Sequence, residues 1–220
     1  MRNEILAPDA GPEAVCARFD VSRESCARLS FYVQELKRWQ KRINLVGPGT
    51  LSHVWVRHVA DGLQLLPLLR EDGYAQLVDL GSGGGVPGLV VALALGGEFA
   101  PHVVLVESNA KKAAFLRHVV RETGICATIV NRRIEHLDVD SLDCGPRTVV
   151  TARALAPLPR LLRLAEPMLG CGATGLFLKG QDVDEELTEA TRYWKLRVRS
   201  YPSATDPGGM ILKVEEIRRV

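Results

Sequence analysis

Val78-Asp79-Leu80-Gly81-Ser82-Gly83-Gly84-Gly85-Val86-Pro87-Gly88 is the stretch whose reading decides the fold. The apolar run Leu77 to Leu80 carries an acid, Asp79, and opens into a loop with four glycines in five positions. An apolar helical stretch, Leu89 to Leu95, follows. Strand, Gly-rich turn and helix in this order let backbone N–H groups and a helix N-terminus approach a nucleotide. Dinucleotide folds use G-x-G-x-x-G, for a tight turn, close pyrophosphate approach and helix packing. Here the glycines fall as G-x-G-x-G and the sixth position is Val86. No Lys-Ser/Thr pair follows, which excludes a phosphate-cradling P-loop. A Gly-rich turn that binds nothing is the bland alternative, and it is disfavoured because each glycine weakens the strand or helix around it.

A second feature lies 26 residues after Gly81, where Val103-Val104-Leu105-Val106 ends in Glu107. An acid at the end of the second strand can accept both ribose hydroxyls of a nucleotide. The free 2′-OH is common to NAD and S-adenosylmethionine, so Glu107 alone does not choose between them. It argues against a 2′-phosphorylated ligand. Glu107 before Ser108-Asn109-Ala110 could also simply cap the next helix. The D-x-G-x-G-x-G loop resembles the S-adenosylmethionine loop of Rossmann-like methyltransferases. A sulfonium ligand has no pyrophosphate to cradle, so the backbone would pass against its amino acid and ribose. On this reading Asp79, Gly81, Gly83, Gly85, Val86 and Glu107 are the cofactor-binding candidates.

The chain has 220 residues, 46% of them hydrophobic, enough for one sizeable core. No apolar run reaches the roughly 18 residues that span a bilayer, and Met1-Arg2-Asn3-Glu4 begins no signal peptide. A cytoplasmic protein without a membrane anchor, and a monomer, is expected. The five cysteines (16, 26, 126, 144, 171) form no C-x-x-C pair and no His stands at ligand spacing. They read as small buried hydrophobes in a reducing compartment, not as metal ligands or a disulfide framework.

Net charge is only +2, but its distribution is informative. From Arg147 to Gln181 stand five basic residues (147, 153, 160, 163, 179) against one acid, Glu166, whereas Asp182 to Glu189 carries five acids. Arg153 and Lys179 follow strand-like runs. In an open parallel sheet this puts them on the ligand face, outside the carboxyl ends of the strands. Lys37, Arg38, Lys41 and Arg42 share a stripe of an N-terminal helix. An anion large enough to touch both patches would be a nucleic acid. An ordinary solvated basic face competes with this for the helix cluster.

Periodicity organises the rest. Residues 1–20 read as a loose arm with room for a short helix. Helical spacing covers about Ser22 to Ile43 and again Ser52 to Leu69. Strands are expected near 77–80, 103–107, 127–130, 148–152 and 175–179, with helices near 87–96, 110–123, 157–168 and 182–193. Lys195 to Tyr201 and Gly209 to Val220 read as two strands of an antiparallel edge. The sum is a doubly wound α/β, Rossmann-like sheet with antiparallel C-terminal edge strands. Residues 1–70 would form an N-terminal helical extension packed on a 71–220 core, one compact domain overall.

The ordered motifs resemble those of the bacterial small-subunit rRNA guanine-N7 methyltransferases, the GidB or RsmG family. They are Trp39-Gln-Lys-Arg-Ile-Asn44-Leu-Val, Arg57-His58-Val-Ala-Asp61 and Asp79 to Gly88. Val106-Glu107-Ser108, Lys111-Lys-Ala-Ala-Phe115-Leu116 and Arg133-Ile134-Glu135 follow, then Thr151-Ala-Arg153-Ala154 and Leu178-Lys179-Gly180. The departures, Ala152 and Gly62 where the family often has Ser, touch no charged or glycine position. The resemblance implies a class I methyltransferase fold and S-adenosyl-L-methionine as cofactor, leaving S-adenosyl-L-homocysteine. It implies cofactor contacts from Gly81, Val86, Ile134, Glu135 and Arg153, and a guanine in the so-called 530 loop of 16S rRNA as target. The partner would be 16S rRNA, the small ribosomal subunit or its precursor. RNA contacts are expected from Lys37, Arg38, Lys41, Arg42, Arg57, His58, Arg132 and Lys179, with Arg133 beside Arg132 able to pair with phosphate.

Guanine N7 carries a free in-plane lone pair, so its methylation needs no general base, and neither a catalytic proton-transfer residue nor a metal is expected. His58 reads as a packed helix histidine before an acid–base group. The competing classes are a methyltransferase acting on another RNA or a small molecule, an NAD-dependent dehydrogenase, and an RNA-binding module with a relic pocket. Val86 in place of the third glycine disfavours the dehydrogenase, and the intact loop disfavours the relic.

Overall fold

A computed structural model describes residues 5–96 and 102–220. Residues 1–4 of the expected arm therefore lie outside the described residues. Among the described residues, seven strands form a single sheet: β1 (Gln76–Leu80), β2 (His102–Val106), β3 (Ala127–Val130), β4 (Thr148–Arg153), β5 (Thr174–Lys179), β6 (Trp194–Pro202) and β7 (Met210–Arg219). Their order is β3-β2-β1-β4-β5-β7-β6. The first five are parallel to one another, and β7 inserts antiparallel between β5 and β6. The order reverses between β1 and β4. A ligand crevice opens at such a switch point, outside the carboxyl ends of the strands.

Alternating strand residues divide two cores, as the two-residue period of a sheet covered on both faces requires. Leu77, Val103, Leu105, Val149 and Leu176 face one side, and Val78, Val104, Val106, Val150 and Phe177 the other. On the first side lie α1 (Pro12–Arg18), α2 (Arg23–Gln40), α5 (Gly88–Leu95) and α6 (Ala110–Thr123). On the second lie α7 (Leu158–Gly170) and α8 (Val183–Ala190). Buried from Gly88 through Ala94, α5 is apolar all round, as a helix sandwiched between the sheet and α2 must be. Local signals set the ends. Ser22 caps α2 by accepting from the Ser25 amide, Asn109 caps α6 by accepting from the amides of Lys111 and Lys112, and Gly124 ends α6 at φ +65°.

Three expectations are corrected. The short helix for which the arm has room is α1, but the described part of the arm is not loose. Val15, Cys16 and Phe19 are buried in the first core, and the Leu6 amide donates to Ala204 O. The expected helix 52–69 is broken into a 3₁₀ turn (Pro48–His53), a π turn (Trp55–Ala60), α3 (Asp61–Leu63) and α4 (Leu66–Asp72). Pro67 has no N–H to continue a helix and opens α4 instead. The cysteines also differ. Cys16 and Cys26 are bonded as a disulfide where α1 packs beside α2, Cys144 is half-buried, and Cys126 and Cys171 are exposed. Spacing in the chain did not show that two helices would bring positions 16 and 26 together. Among the described residues no helix is long and apolar enough to cross a membrane.

Gly88 is where α5 meets β1. A Cβ there would lie 2.5 Å from Asp79 Cβ and 2.7 Å from Leu105 Cδ2. The Asp79 Cβ cannot give way without moving its strand. Gly88→Ala should therefore destabilise the protein, since overpacking costs roughly 1–3 kcal/mol and the helix-propensity gain of about 1 kcal/mol is reduced at a first helical position. Urea denaturation checks this, the expected result being a lower midpoint at unchanged slope. A midpoint equal to or above that of the parent would show that α5 can shift.

Candidate active site

Two clefts open at the carboxyl ends of the strands, one on each side of a ridge. The first, about 340 Å³, is lined by Gly81, Gly83, Glu107, Ser108, Lys112, Arg132, Ile134, Glu135, Leu155 and Arg160, among others. Gly81, Gly83 and Gly85 hold φ of +70°, +53° and +98°, a region in which other residues are strained. A Cβ on Gly83 would have only Gly81 O, at 3.7 Å, within 4 Å, so it would project into open cleft. Glu107 ties the loop down: one carboxylate oxygen accepts from the Gly83 amide at 2.9 Å and the other from the Asn109 amide at 2.7 Å. The capping alternative is thus partly realised, although Asn109 itself is the N-cap of α6.

The loop is also held from behind. Tyr32 of α2 donates its hydroxyl to Gly84 O at 2.7 Å, and burial pushes that hydroxyl well above its ordinary pKa, so it stays a donor. A Cβ on Gly84 would meet Leu45 O at 3.2 Å. The 45–46 turn is fixed by Gln40, whose side chain accepts from the Leu45 and Val46 amides and donates to Val46 O. Tyr32 reads in the sequence as one more position of a core stripe, and nothing there announces its hydroxyl contact.

The second cleft, about 490 Å³, is lined by Thr50, Arg57, His58, Asp61, Arg153, Lys179, Glu186 and Asp206 among others. Its three cations each face an acid: Arg57 with Asp206 at 3.2 Å, Arg153 with Asp61 at 2.6 Å and Lys179 with Glu186 at 2.5 Å. The chemistry of His58 follows from its partners. Arg153 Nη2 lies 2.8 Å from Nδ1 and can only donate, so Nδ1 accepts and the ring is neutral. Nε2 then donates to Thr50 Oγ1 at 2.6 Å, and the Thr50 hydroxyl donates in turn to Gly47 O. Burial first, then Arg153 and Arg57, lower the His58 pKa to about 3. Ala154, Leu155 and Ala156 line both clefts, with Ala154 at φ +50°. Leu155 Cδ1 stands 2.7 Å from where a Gly81 Cβ would be, so the ridge presses directly on the loop.

The structure thus gathers Gly81, Gly83, Glu107, Ile134 and Glu135 around one cleft, with Arg132 on its rim. It separates other candidates from it. Asp79 is fully buried beneath the loop, where Oδ1 accepts from Thr151 at 2.7 Å and Oδ2 has no hydrogen bond among the described residues. Gly85 and Val86 are buried, a Cβ on Gly85 meeting Leu89 at 2.8 Å, so they shape the turn from below. Arg153 is turned by Asp61 and His58 into the second cleft, not the first, and joins Arg57, His58 and Lys179 there. Lys37, Arg38, Lys41 and Arg42 adjoin neither cleft. Because α2 ends at Gln40, Lys41 and Arg42 lie in the turn beyond it and not on a helix stripe; Arg38 pairs with Glu35. Thr50, Leu155 and Glu186 carry no signal in the sequence, and Asp61 appears there only as a motif position, because their roles come from tertiary contacts.

A glycine loop at the β1 switch point, an acid at the end of β2 and the antiparallel β7 define a Rossmann-like sheet of the class I methyltransferase type. Solved structures share it: an O-methyltransferase from Bacillus cereus in complex with SAH (TM-score 0.53, 15% identity, covering 84% of this chain and 90% of that one) and the O-methyltransferase TomG from Streptomyces achromogenes in complex with SAM (TM-score 0.56, 15% identity, 86% and 89%). The chain belongs to the GidB family, rRNA small subunit methyltransferase G, whose family model matches residues 25–207. It is 48% identical over 209 residues to the Ribosomal RNA small subunit methyltransferase G of Paramagnetospirillum magneticum, covering 95% of this chain and 97% of that protein. It is 49% identical over 208 residues to that of Rhodospirillum rubrum, covering 94% and 98%.

Asp79 gives the site a pH signature. Burial, offset in part by the Thr151 hydroxyl, raises its pKa from 3.8 to about 6. Between those values the folded state holds the proton more tightly than the unfolded chain, so this residue makes stability fall as pH rises from about 4 to 6. Asp79→Asn should flatten that fall in denaturation curves recorded across this range. An identical pH profile in both proteins would show that Asp79 titrates normally.

Proposed function

We propose that this protein methylates small-subunit ribosomal RNA, transferring the methyl group of S-adenosyl-L-methionine to N7 of a guanine in the 530 loop of 16S rRNA. Family membership supports the rRNA assignment. The observation that carries the chemistry is the pair of clefts meeting at the Leu155 ridge, one lined by the glycine loop and the other closed by three ion pairs. The first fits the cofactor. Gly81 and Gly83 keep the loop surface free of side chains, the lone pairs left on Glu107 can accept ribose hydroxyls, and Ile134 and Leu155 offer apolar faces to an adenine. When bound, the cofactor supplies an electrophilic methyl carbon on a cationic sulfur.

The residues of the second cleft suit N7 as nucleophile. Guanine N7 is nucleophilic through its in-plane lone pair, so these residues would need to remove no proton, and a methylated purine held here would be cationic. His58, with Nδ1 blocked by Arg153 and its proton committed to Thr50, is not available as a base and is not needed as one. Since Arg57, Arg153 and Lys179 are each neutralised by an acid, a purine gaining positive charge there meets no net repulsion. Rate enhancement then rests on orienting N7 along the axis of the methyl bond, with fixed dipoles matched to the moving charge. We infer a cytoplasmic monomer acting on the small subunit, its precursor or its RNA.

rRNA from a strain lacking the protein, incubated with purified protein and cofactor, should gain one methyl group. Cleavage at N7-methylguanine followed by primer extension should map it to the 530 loop. A modified base elsewhere, or methyl transfer only to small molecules, would overturn the assignment. Glu107→Gln should weaken cofactor binding by about 1.5–3 kcal/mol, the range for hydrogen bonds to a charged group, measured by calorimetry on a variant that melts like the parent. Unchanged affinity would remove Glu107 from the ribose.

A further inference from the structure

The cations of the second cleft are paired, so attraction for a polyanion must come from elsewhere. A third concavity, about 500 Å³, lies between the end of α2 and the start of α6, lined by Arg38, Trp39, Lys41, Arg42, Ile43, Lys111 and Ala114. Its lining combines the apolar Trp39, Ile43 and Ala114 with four cations and includes no carboxylate. Arg38 is engaged with Glu35, but among the described residues Lys41, Arg42 and Lys111 form no ion pair. Trp39 is held against Phe115 at 5.7 Å and His118 at 5.4 Å, and its uncovered part faces the groove.

We propose that this groove binds an unstacked nucleotide of the substrate RNA, its base against Trp39 and Ile43 and its flanking phosphates on Lys41, Arg42 and Lys111. The proposal rests on the rRNA reading and adds a second anchoring point, distinct from the target-base cleft. Charge favours RNA as occupant, because an aromatic floor with unpaired cations at the rim is how single-stranded nucleic acid is held without base-specific contacts. An amphipathic protein helix would leave those cations facing its apolar side. Continuity points the same way. Lys111 lines the groove and the next residue, Lys112, lines the cofactor cleft, so only the first turn of α6 separates them. On the other side, Ile43 leads into the Leu45–Val46 turn that backs Gly84. A strand leaving the groove over α6 reaches the glycine loop at once.

The test titrates the full-length protein with a fluorescein-labelled single-stranded oligoribonucleotide, and with small-subunit rRNA, across a salt series. Arg42→Ala with Lys111→Ala changes two exposed side chains. It should weaken RNA binding and reduce the slope of log affinity against log salt by about 1.4, at roughly 0.7 per phosphate contact, while S-adenosylmethionine affinity and melting temperature stay as in the parent. Trp39→Leu should lose about five- to hundredfold in affinity, as for a lost base–aromatic stack, with the slope unchanged. Ultraviolet crosslinking should place RNA on the peptide containing Trp39. Wild-type affinity and slope in the double variant, in a protein whose parent methylates rRNA, would overturn the groove and leave the enzyme assignment standing. Loss of binding to assembled subunits alone, with free rRNA bound normally, would overturn it in favour of a protein partner. A parent that neither binds nor methylates small-subunit rRNA would remove the rRNA reading itself and the groove with it.

Discussion

The structure depends first on one buried carboxylate. Asp79 has no solvent exposure, and its Oδ1 accepts from Thr151 across the β1–β4 pair, at the place where the strand order reverses. Burying an acid is unfavourable unless hydrogen bonds or protonation compensate, and its raised pKa records that cost. In exchange, Gly88 can bring the start of α5 onto Asp79 Cβ. That close approach sets the helix beneath the loop and leaves Gly81 and Gly83 at the surface. Above it, Glu107 joins β2, the loop and the start of α6 through two backbone amides. One acid therefore organises the loop from below and another from the side, and only the second reaches the cleft.

Much of this was legible in residues whose type is tied to backbone geometry. Glycines at positive φ, an acid closing a β-branched run and a two-residue alternation of apolar side chains are signals local in the chain, and the strands fall within a residue or two of their expected limits. What failed was non-local. The 52–69 stretch has helical spacing, but periodicity cannot show that Pro67 would restart the helix or that Gly62, whose Cβ would lie 2.8 Å from Val90, packs against α5. Cys16 and Cys26 meet only because α1 folds back along α2.

The same distinction explains the site residues. Gly81, Gly83 and Glu107 line the cleft because their roles follow from the strand ends that carry them. Arg153 also stands at a strand end, but the direction of its side chain is decided by Asp61 and His58, which lie more than ninety residues earlier and approach through the π turn. An arginine at a strand end says that a cation reaches the ligand face. Which cleft it serves is set by its partners. Tyr32 is the converse case, a residue legible as core whose single polar atom reaches the loop.

Charge is partitioned in a way that suits methyl transfer to a neutral base. If the second cleft holds the target guanine as proposed, free cations in it would attract RNA phosphate but oppose the cationic purine that N7 methylation yields. Pairing Arg57, Arg153 and Lys179 with acids removes that conflict. On the proposed reading, affinity for a polyanion is supplied by cations placed where no charge develops, and Lys41, Arg42 and Lys111 would satisfy that condition. Helix α2 connects the two requirements mechanically, with Tyr32 midway along it on Gly84 and Arg38 and Trp39 near its end in the groove. An N-terminal element that looks like an addition to the sheet therefore backs the glycine loop and, on the proposed reading, also carries the charge that a pocket holding the target base would exclude.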